Sequence, residues 1–273
     1  MADKFIKFLT GDAAVVLAGI SAASIDAVIT SPPYDTLRNY NGYSFDFPAI
    51  AGQLARVLKP GGVIMWNVGD EVIDGTESGN SFRQALHFKD ECGLRLHDTM
   101  IYEKIGSAYP AGEHNNRYTQ IFEYCFILSK GRPKTANLIR DKINNWGGTT
   151  TFAKPTYWDK DGKLLQASKK RSIAEVGMRT NIWRVWNGKV FGNQWQNESH
   201  PAVMPLSLAA DHIRTWTNAD DIVLDPFCGS GTSGVAARQL GRQFIGIDIS
   251  AEYIALSEKR IVAEVGTLLD KVE

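Results

Sequence analysis

Residues 221–249 read "DIVLDPFCGSGTSGVAARQLGRQFIGIDI", and the architecture of the whole chain follows from them. "DIVLDPF" (221–227) is a strand-length apolar run that stops at an acid and a proline. "CGSG" then supplies glycines for a tight turn, and "GTSGVAARQLG" (231–241) carries a helical pattern closed by glycine. "QFIGIDI" (243–249) is the next strand. Strand, glycine turn, helix and strand make the unit of a parallel sheet, because parallel neighbours need a crossover between them.

The same alternation extends outward. "DAVIT" (26–30) and "VIMWNVG" (63–69) read as buried strands, separated by a helical stripe of Ile50, Leu54, Val57 and Leu58 that ends at "KPGG" (59–62). "SFRQALHFKDECG" (81–93) reads as a helix with a glycine stop. "TMIYEKI" (99–105) and "FEYCFILSK" (122–130) read as two strands, antiparallel at the sheet edge. Leu206, Ala210, Ile213 and Thr217 fit a helix, and a last helix runs from Ala251 to about Val265. The 273 residues, 44% of them hydrophobic, suit one large α/β domain or one domain with an insertion.

Within the opening stretch, Asp248 falls at a strand end 17 residues after Gly231, where an acid accepts hydrogen bonds from ribose hydroxyls. The loop lacks the Gly-Lys-Ser/Thr that grips a triphosphate, and Asp225 would repel a pyrophosphate. Asp225 suits a cationic group, such as the amine of a methionine moiety, so S-adenosylmethionine fits better than NAD. The alternative is that Asp225 caps the turn.

A second punctuated strand end stands at Ser31-Pro32-Pro33-Tyr34, where two prolines fix two φ angles and remove two N–H donors. Between the two motifs, residues 131–199 carry 13 Lys and Arg against 5 Asp and Glu, a net of +8 in a chain of net charge zero, and five of the seven tryptophans. A basic segment interleaved with aromatics matches a nucleic-acid contact surface, the plainer reading being a solvated insertion with an aromatic mini-core. Three scattered cysteines without a CxxC pair argue against disulfides and a structural zinc site, so no metal is expected. The N-terminus is too short and charged for a signal peptide, and no apolar run approaches the ~20 residues of a membrane span.

"TSPPY" (30–34) and "DPFCGSGT" (225–232) together resemble the β-class, cyclically permuted amino-methyltransferases of DNA, which act on N4 of cytosine or N6 of adenine. The resemblance implies a Rossmann-like, S-adenosylmethionine-dependent fold, cyclically permuted, with a mostly parallel sheet, an antiparallel edge strand and an inserted target-recognition region. It divides the chain into a catalytic part (1–130), the target-recognition insertion (131–199) and a cofactor-binding part (200–273). Asp12, Thr30, Asp225, Phe227, Gly229, Ser230, Gly231, Thr232 and Asp248 are then expected to bind cofactor, with Asp12 meeting the adenine. Ser31, Pro32, Pro33 and Tyr34 are expected to hold the target base. Lys169, Lys170, Arg171 and Arg179 are expected on DNA phosphates, although Lys169–Arg171 could equally be a solvated run. The partner implied is double-stranded DNA and the location prokaryotic or phage-encoded cytoplasm. A homodimer and a separately acting restriction endonuclease are compatible with it.

Ser31 Oγ and the Pro32 carbonyl are suited to accept the amine's hydrogens, and Tyr34 to stack on a flipped base. A serine hydroxyl donates to cytosine N3, which an ionised Asp cannot, and this favours N4-cytosine over N6-adenine. Cytosine C5 chemistry lacks its Pro-Cys pair, and Cys228 reads as a space-filler. His200 has a structural loop reading as good as a functional one, Asp35 either orients Tyr34 or caps a turn, and Arg38 and Tyr40 read more readily as exposed loop residues than as contacts to the target strand. The rival classes are an RNA or protein-amide methyltransferase and a silent DNA-binding module.

Overall fold

The computed structural model describes residues 5–33, 45–106, 118–151, 153–186 and 204–269. The first part of the chain runs β1 (Ile6–Thr10), α1 (Ala13–Ala18), β2 (Ile25–Thr30), α2 (Phe47–Val57), β3 (Leu58–Val68), β4 (Val72–Ile73), β5 (Thr76–Glu77), α3 (Asn80–Asp90), β6 (Arg95–Ile105) and β7 (Phe122–Ser129). Four short strands follow: β8 (Arg140–Ile143), β9 (Thr156–Trp158), β10 (Leu164–Gln166) and β11 (Val176–Met178). The chain then continues through β12 (Ile182–Trp186), α4 (Leu206–Trp216), β13 (Ile222–Asp225), α5 (Thr232–Gln239), β14 (Gln243–Asp248) and α6 (Ala251–Leu269).

Eight strands form one sheet in the order β1-β14-β13-β2-β3-β7-β6-β12. All pairs from β1 to β3 are parallel; β7 runs antiparallel to both its neighbours. Two antiparallel strands were expected at the edge, but β12 pairs in parallel with β6 and takes the edge itself, which leaves β7 inside the sheet. Trp183 anchors β12 by stacking on His212 of α4, with ring centroids 4.5 Å apart.

Helices α1, α2 and α3 pack together, as do α4, α5 and α6. Side-chain alternation in the strands feeds both layers. Val28, Ile64, Trp66, Leu224 and Ile247 join the core formed with α1–α3, and the intervening Ala27, Ile29, Met65 and Val223 are equally buried. Trp66 centres the first layer: its ring meets Phe88 at 5.1 Å and Phe47 at 5.8 Å, and its Nε1 donates to Gln84 Oε1 at 2.8 Å. The expected helix stop at "KPGG" lies inside a strand instead. Helix α2 ends at Val57, and β2 pairs Ile25 with Leu58 and Ala27 with Val63, so residues 59–62 bulge outward with Gly61 at φ +78°. No helix among the described residues is long and apolar enough to cross a membrane.

Leu138–Thr180 forms a compact unit of its own, built from the β8–β11 and β9–β10 ribbons. None of its described residues is fully buried. Trp146 and Trp158 are 62% and 70% exposed, so they do not make the mini-core that the plainer reading required. Residues 131–137 and 181–186 belong with the unit that carries the sheet.

Candidate active site

The chain goes from β2 to β3 on one side of the sheet and from β13 to β14 on the other, while β2 and β13 lie side by side. Such a reversal opens a crevice outside the carboxyl ends of the strands. Four adjacent strand ends line it in the order β1, β14, β13, β2, and they carry Asp12, Asp248, Asp225 and Thr30-Ser31 respectively. Three strand spacings put about 14 Å between the first and last of these strands.

Asp225 is 3% exposed and is held by short contacts. Thr30 Oγ1 donates to its Oδ1 at 2.6 Å, across the β2–β13 seam, and the Phe227 N–H donates to the same oxygen at 3.1 Å. Burial nevertheless pushes its carboxyl up to about 6, against the hydrogen bonds from Thr30, Ser233 and Phe227, and with the charge of Asp248 adding to the rise. Among the described residues no Lys or Arg pairs with Asp225, and a buried carboxylate without one suits a cationic ligand group. The turn-capping alternative is also present in part, since the Phe227 N–H is one of its donors.

The glycine loop bends between β13 and α5. Gly229 and Gly231 sit at φ +47° and +79°, a region where a side chain would be strained. Asp248 braces the loop: one carboxylate oxygen accepts from the Gly229 N–H and the other from the Ser250 N–H, both at 2.9 Å. A carboxylate has about four acceptor positions, so these bonds leave capacity for ribose hydroxyls. Asp12 accepts from the Val15 N–H at 3.1 Å and so caps α1, beside Asp248 through the Gly11 N–H to Asp248 carbonyl bond of 3.0 Å. Phe227 is half-buried with its ring edge-on to Phe45 at 5.6 Å. Ser230 and Thr232 are 4% and 5% exposed.

The residues that hold Ser230 and Thr232 escaped the sequence reading. Arg260 of α6 donates through Nη1 to the Ser230 carbonyl and hydroxyl, each at 3.2 Å, and to Thr232 Oγ1 at 2.9 Å. Ser257 Oγ donates to the Gly229 carbonyl at 2.6 Å. The available signal was a polar pair at helical spacing within the buried stripe of Ile254 and Ile261.

On the other side of the seam, Ser31 and Pro33 are half-buried and Pro32 is buried directly after β2. Tyr34 lies outside the described residues, as do Asp35, Arg38, Tyr40 and His200. In register with Thr30 is Trp66 of β3, and the next residue, Asn67, is 1% exposed. Asn67 Nδ2 donates to Glu123 Oε2 at 3.0 Å, and Glu123 pairs with Lys104 at 2.6 Å. Asp70 is committed to α3, accepting from the Ser81 N–H at 2.9 Å. Burial pushes the Cys228 thiol well above its ordinary range, helped by Asp225 and Asp248, which suits a space-filler and not a nucleophile.

Lys169, Lys170 and Arg171 are exposed on the separate compact unit. Arg179, also on it, is paired: its Nε donates to Asp141 Oδ2 at 2.9 Å, and this hydrogen bond holds the Asp141 carboxyl below its usual value.

The donor set fits an elongated cationic nucleoside: acids at Asp12 and Asp248, a charge-seeking Asp225, and a loop bent by glycines for close approach. Comparison with known proteins gives this set its context. Orphan methyltransferase M.BamHII of Bacillus amyloliquefaciens is 49% identical over 243 residues, 89% of this chain and 90% of that protein. DNA adenine methyltransferase YhdJ of Escherichia coli (strain K12) is 28% identical over 275 residues, 92% of this chain and 81% of that protein. Among solved structures, PvuII DNA methyltransferase (cytosine-N4-specific) superimposes with a TM-score of 0.68 at 20% identity, covering 98% of this chain and 96% of that one, a likeness of fold. The N6/N4 methyltransferase profile, described as DNA methylase, matches residues 25–259. The chain therefore belongs to the N6/N4 family of DNA methylases, as an S-adenosylmethionine-dependent DNA methyltransferase.

Proposed function

We propose that this methyltransferase acts on N4 of a cytosine flipped out of duplex DNA. The observation that carries the reading is Ser31, which follows β2 at the switch point, one residue from the Thr30–Asp225 bond. The order of groups along the sheet edge matches the order of groups in the cofactor. Asp12 would meet the adenine, Asp248 the ribose, and Asp225 the cationic methionine end, with Phe227 and residues 229–232 closing over it. Bound S-adenosylmethionine supplies a methyl group on sulfonium, already a good leaving group.

The difficult partner is the amine, whose lone pair is delocalised into the base. Ser31 Oγ and the Pro32 carbonyl accept its hydrogens, the nitrogen becomes more sp³-like, and the fixed proline geometry aligns it for in-line transfer. No covalent enzyme intermediate is required. Tyr34 stacks on the extruded base, worth about 1–3 kcal/mol. Extrusion costs a few kcal/mol, offset by phosphate contacts from the basic 131–199 region, the proposed target-recognition segment. Lys169, Lys170 and Arg171 are exposed for that role; Arg179 would first have to leave Asp141.

Names on both sides of the base question occur among the similar proteins, cytosine-N4 for a structural neighbour and adenine for a relative. The choice therefore rests on residue 31, whose hydroxyl can donate to cytosine N3. The test is transfer of label from S-adenosylmethionine to duplex DNA of mixed sequence, with RNA and protein as rival acceptors. Label in duplex DNA whose transfer Ser31→Ala slows about 10²-fold supports the reading. Label only in RNA or protein, or undiminished in Ser31→Ala, overturns it.

A further inference from the structure

Arg260 is 2% exposed, and a buried guanidinium must be matched on every side. Its Nε donates to Glu264 Oε1 at 2.7 Å one turn along α6. Its Nη1 is given wholly to the glycine loop, through Ser230 O, Ser230 Oγ and Thr232 Oγ1. One turn back, fully buried Ser257 ties down the Gly229 carbonyl. A Cβ placed on Gly231 would stand 2.9 Å from both Cβ and Oγ of Ser257. Two side chains of α6 thus grip consecutive carbonyls of the loop, and the second fills the space a larger loop residue would need.

The placement is costly on electrostatic grounds. Thr232 begins α5, so the cation lies beside a helix N-terminus, where the macrodipole disfavours positive charge. The stability of α5 gives no reason for an arginine there. What the arginine does provide is shape: with no side chain among the described residues capping α5, the turn from Gly229 to Thr232 is fixed from behind by α6.

We propose that Arg260, seconded by Ser257, is a positioning residue for cofactor capture, holding residues 229–232 in their left-handed turn before S-adenosylmethionine arrives. This rests on the reading of that loop as the cofactor loop. Residue by residue, the paired change Arg260→Met with Glu264→Gln removes the clamp without stranding a buried charge. Ser257→Ala is a milder lesion that keeps the helix intact, and Arg260→Lys restores the charge with a single amine.

Each variant is assayed by calorimetric titration with S-adenosylmethionine and by separate kcat and KM values for cofactor and DNA. The double variant is expected to raise Kd and KM for the cofactor at least tenfold, with kcat at saturating cofactor and KM for DNA within twofold of wild type. Ser257→Ala should raise both cofactor constants about threefold, and Arg260→Lys should recover part of the double variant's loss. Cofactor constants within twofold of wild type in folded double and Ser257 variants overturn the proposal, and so does an equal loss in kcat and in KM for DNA. Asp225→Asn, titrated in parallel, separates the two ideas. If it weakens binding while the α6 variants do not, the clamp is wrong; if it too binds normally, the loop reading itself is wrong.

Discussion

The ionisation of Asp225 sets how cofactor affinity varies with pH. Burial pushes its carboxyl up to about 6. If its ionised form receives the cationic end of S-adenosylmethionine, affinity must follow that ionisation. At pH 7.5 nearly every molecule carries the charge; at pH 5 about one in eleven does, so Kd should rise roughly tenfold between the two. Asp225→Asn keeps acceptor geometry for the Thr30 hydroxyl and the Phe227 N–H but removes the charge. One lost charge-assisted contact of about 1.5–3 kcal/mol corresponds to a Kd roughly 10- to 150-fold weaker at pH 7.5. The variant's affinity should also be flat with pH. Stability moves oppositely. Burial raises this carboxyl above the ordinary aspartate range, so its contribution is fully present below about 4 and is lost as pH rises through about 6, by roughly 3 kcal/mol. Ligand-free protein should therefore unfold at higher denaturant as pH falls from 7 to 5, less so for Asp225→Asn. Calorimetric titration at four pH values provides the assay. A wild-type Kd unchanged from pH 7.5 to 5, or an Asn variant that binds as tightly as wild type at pH 7.5, would mean that the charge of Asp225 does not receive the cofactor.

Other consequences are as direct. Gly231→Ala forces a left-handed residue, costing about 1–2 kcal/mol, against Ser257 at 2.9 Å, and should weaken cofactor binding in titrations more than it weakens DNA binding. Ser31→Ala should lower kcat about 10²-fold while the Kd for S-adenosylmethionine stays within twofold, as measured by single-turnover kinetics and titration. Replacing Lys169, Lys170 and Arg171 together by Ala should make the slope of log K against log salt shallower by about 3, which DNA binding across a salt series will read. Phe88→Ala, deleting a fully buried ring packed on Trp66, should cost about 3–5 kcal/mol in chemical denaturation.

Local signals carried the sheet. Strands β13 and β14 with α5 between them stand in residues 221–249 as the apolar runs and glycine turn require, and β2, β3, β6 and β7 are equally plain. Features that depend on distant partners were hidden. β12 is five residues long with Trp183 its one buried residue, and it becomes a strand through β6 and the stacking on His212. Pro60 and Gly61 look like a terminator, yet the chain bulges through them and stays in the sheet, since the Gly61 N–H finds the Lys130 carbonyl at 2.7 Å. In the site, the motif residues announced themselves by type and spacing. Arg260 did not, because a charged residue on a helix is expected in water, and only the fold reveals oxygens waiting for it. Arg179 shows the reverse: a plausible phosphate contact whose charge is already matched by Asp141.

Nucleoside analysis reads the target atom. Duplex DNA of mixed sequence is methylated with the purified chain and S-adenosylmethionine, digested to nucleosides and resolved by mass and retention. N4-methyldeoxycytidine is the expected product, formed about 10²-fold more slowly by Ser31→Ala. N6-methyldeoxyadenosine as the methylated product would contradict it.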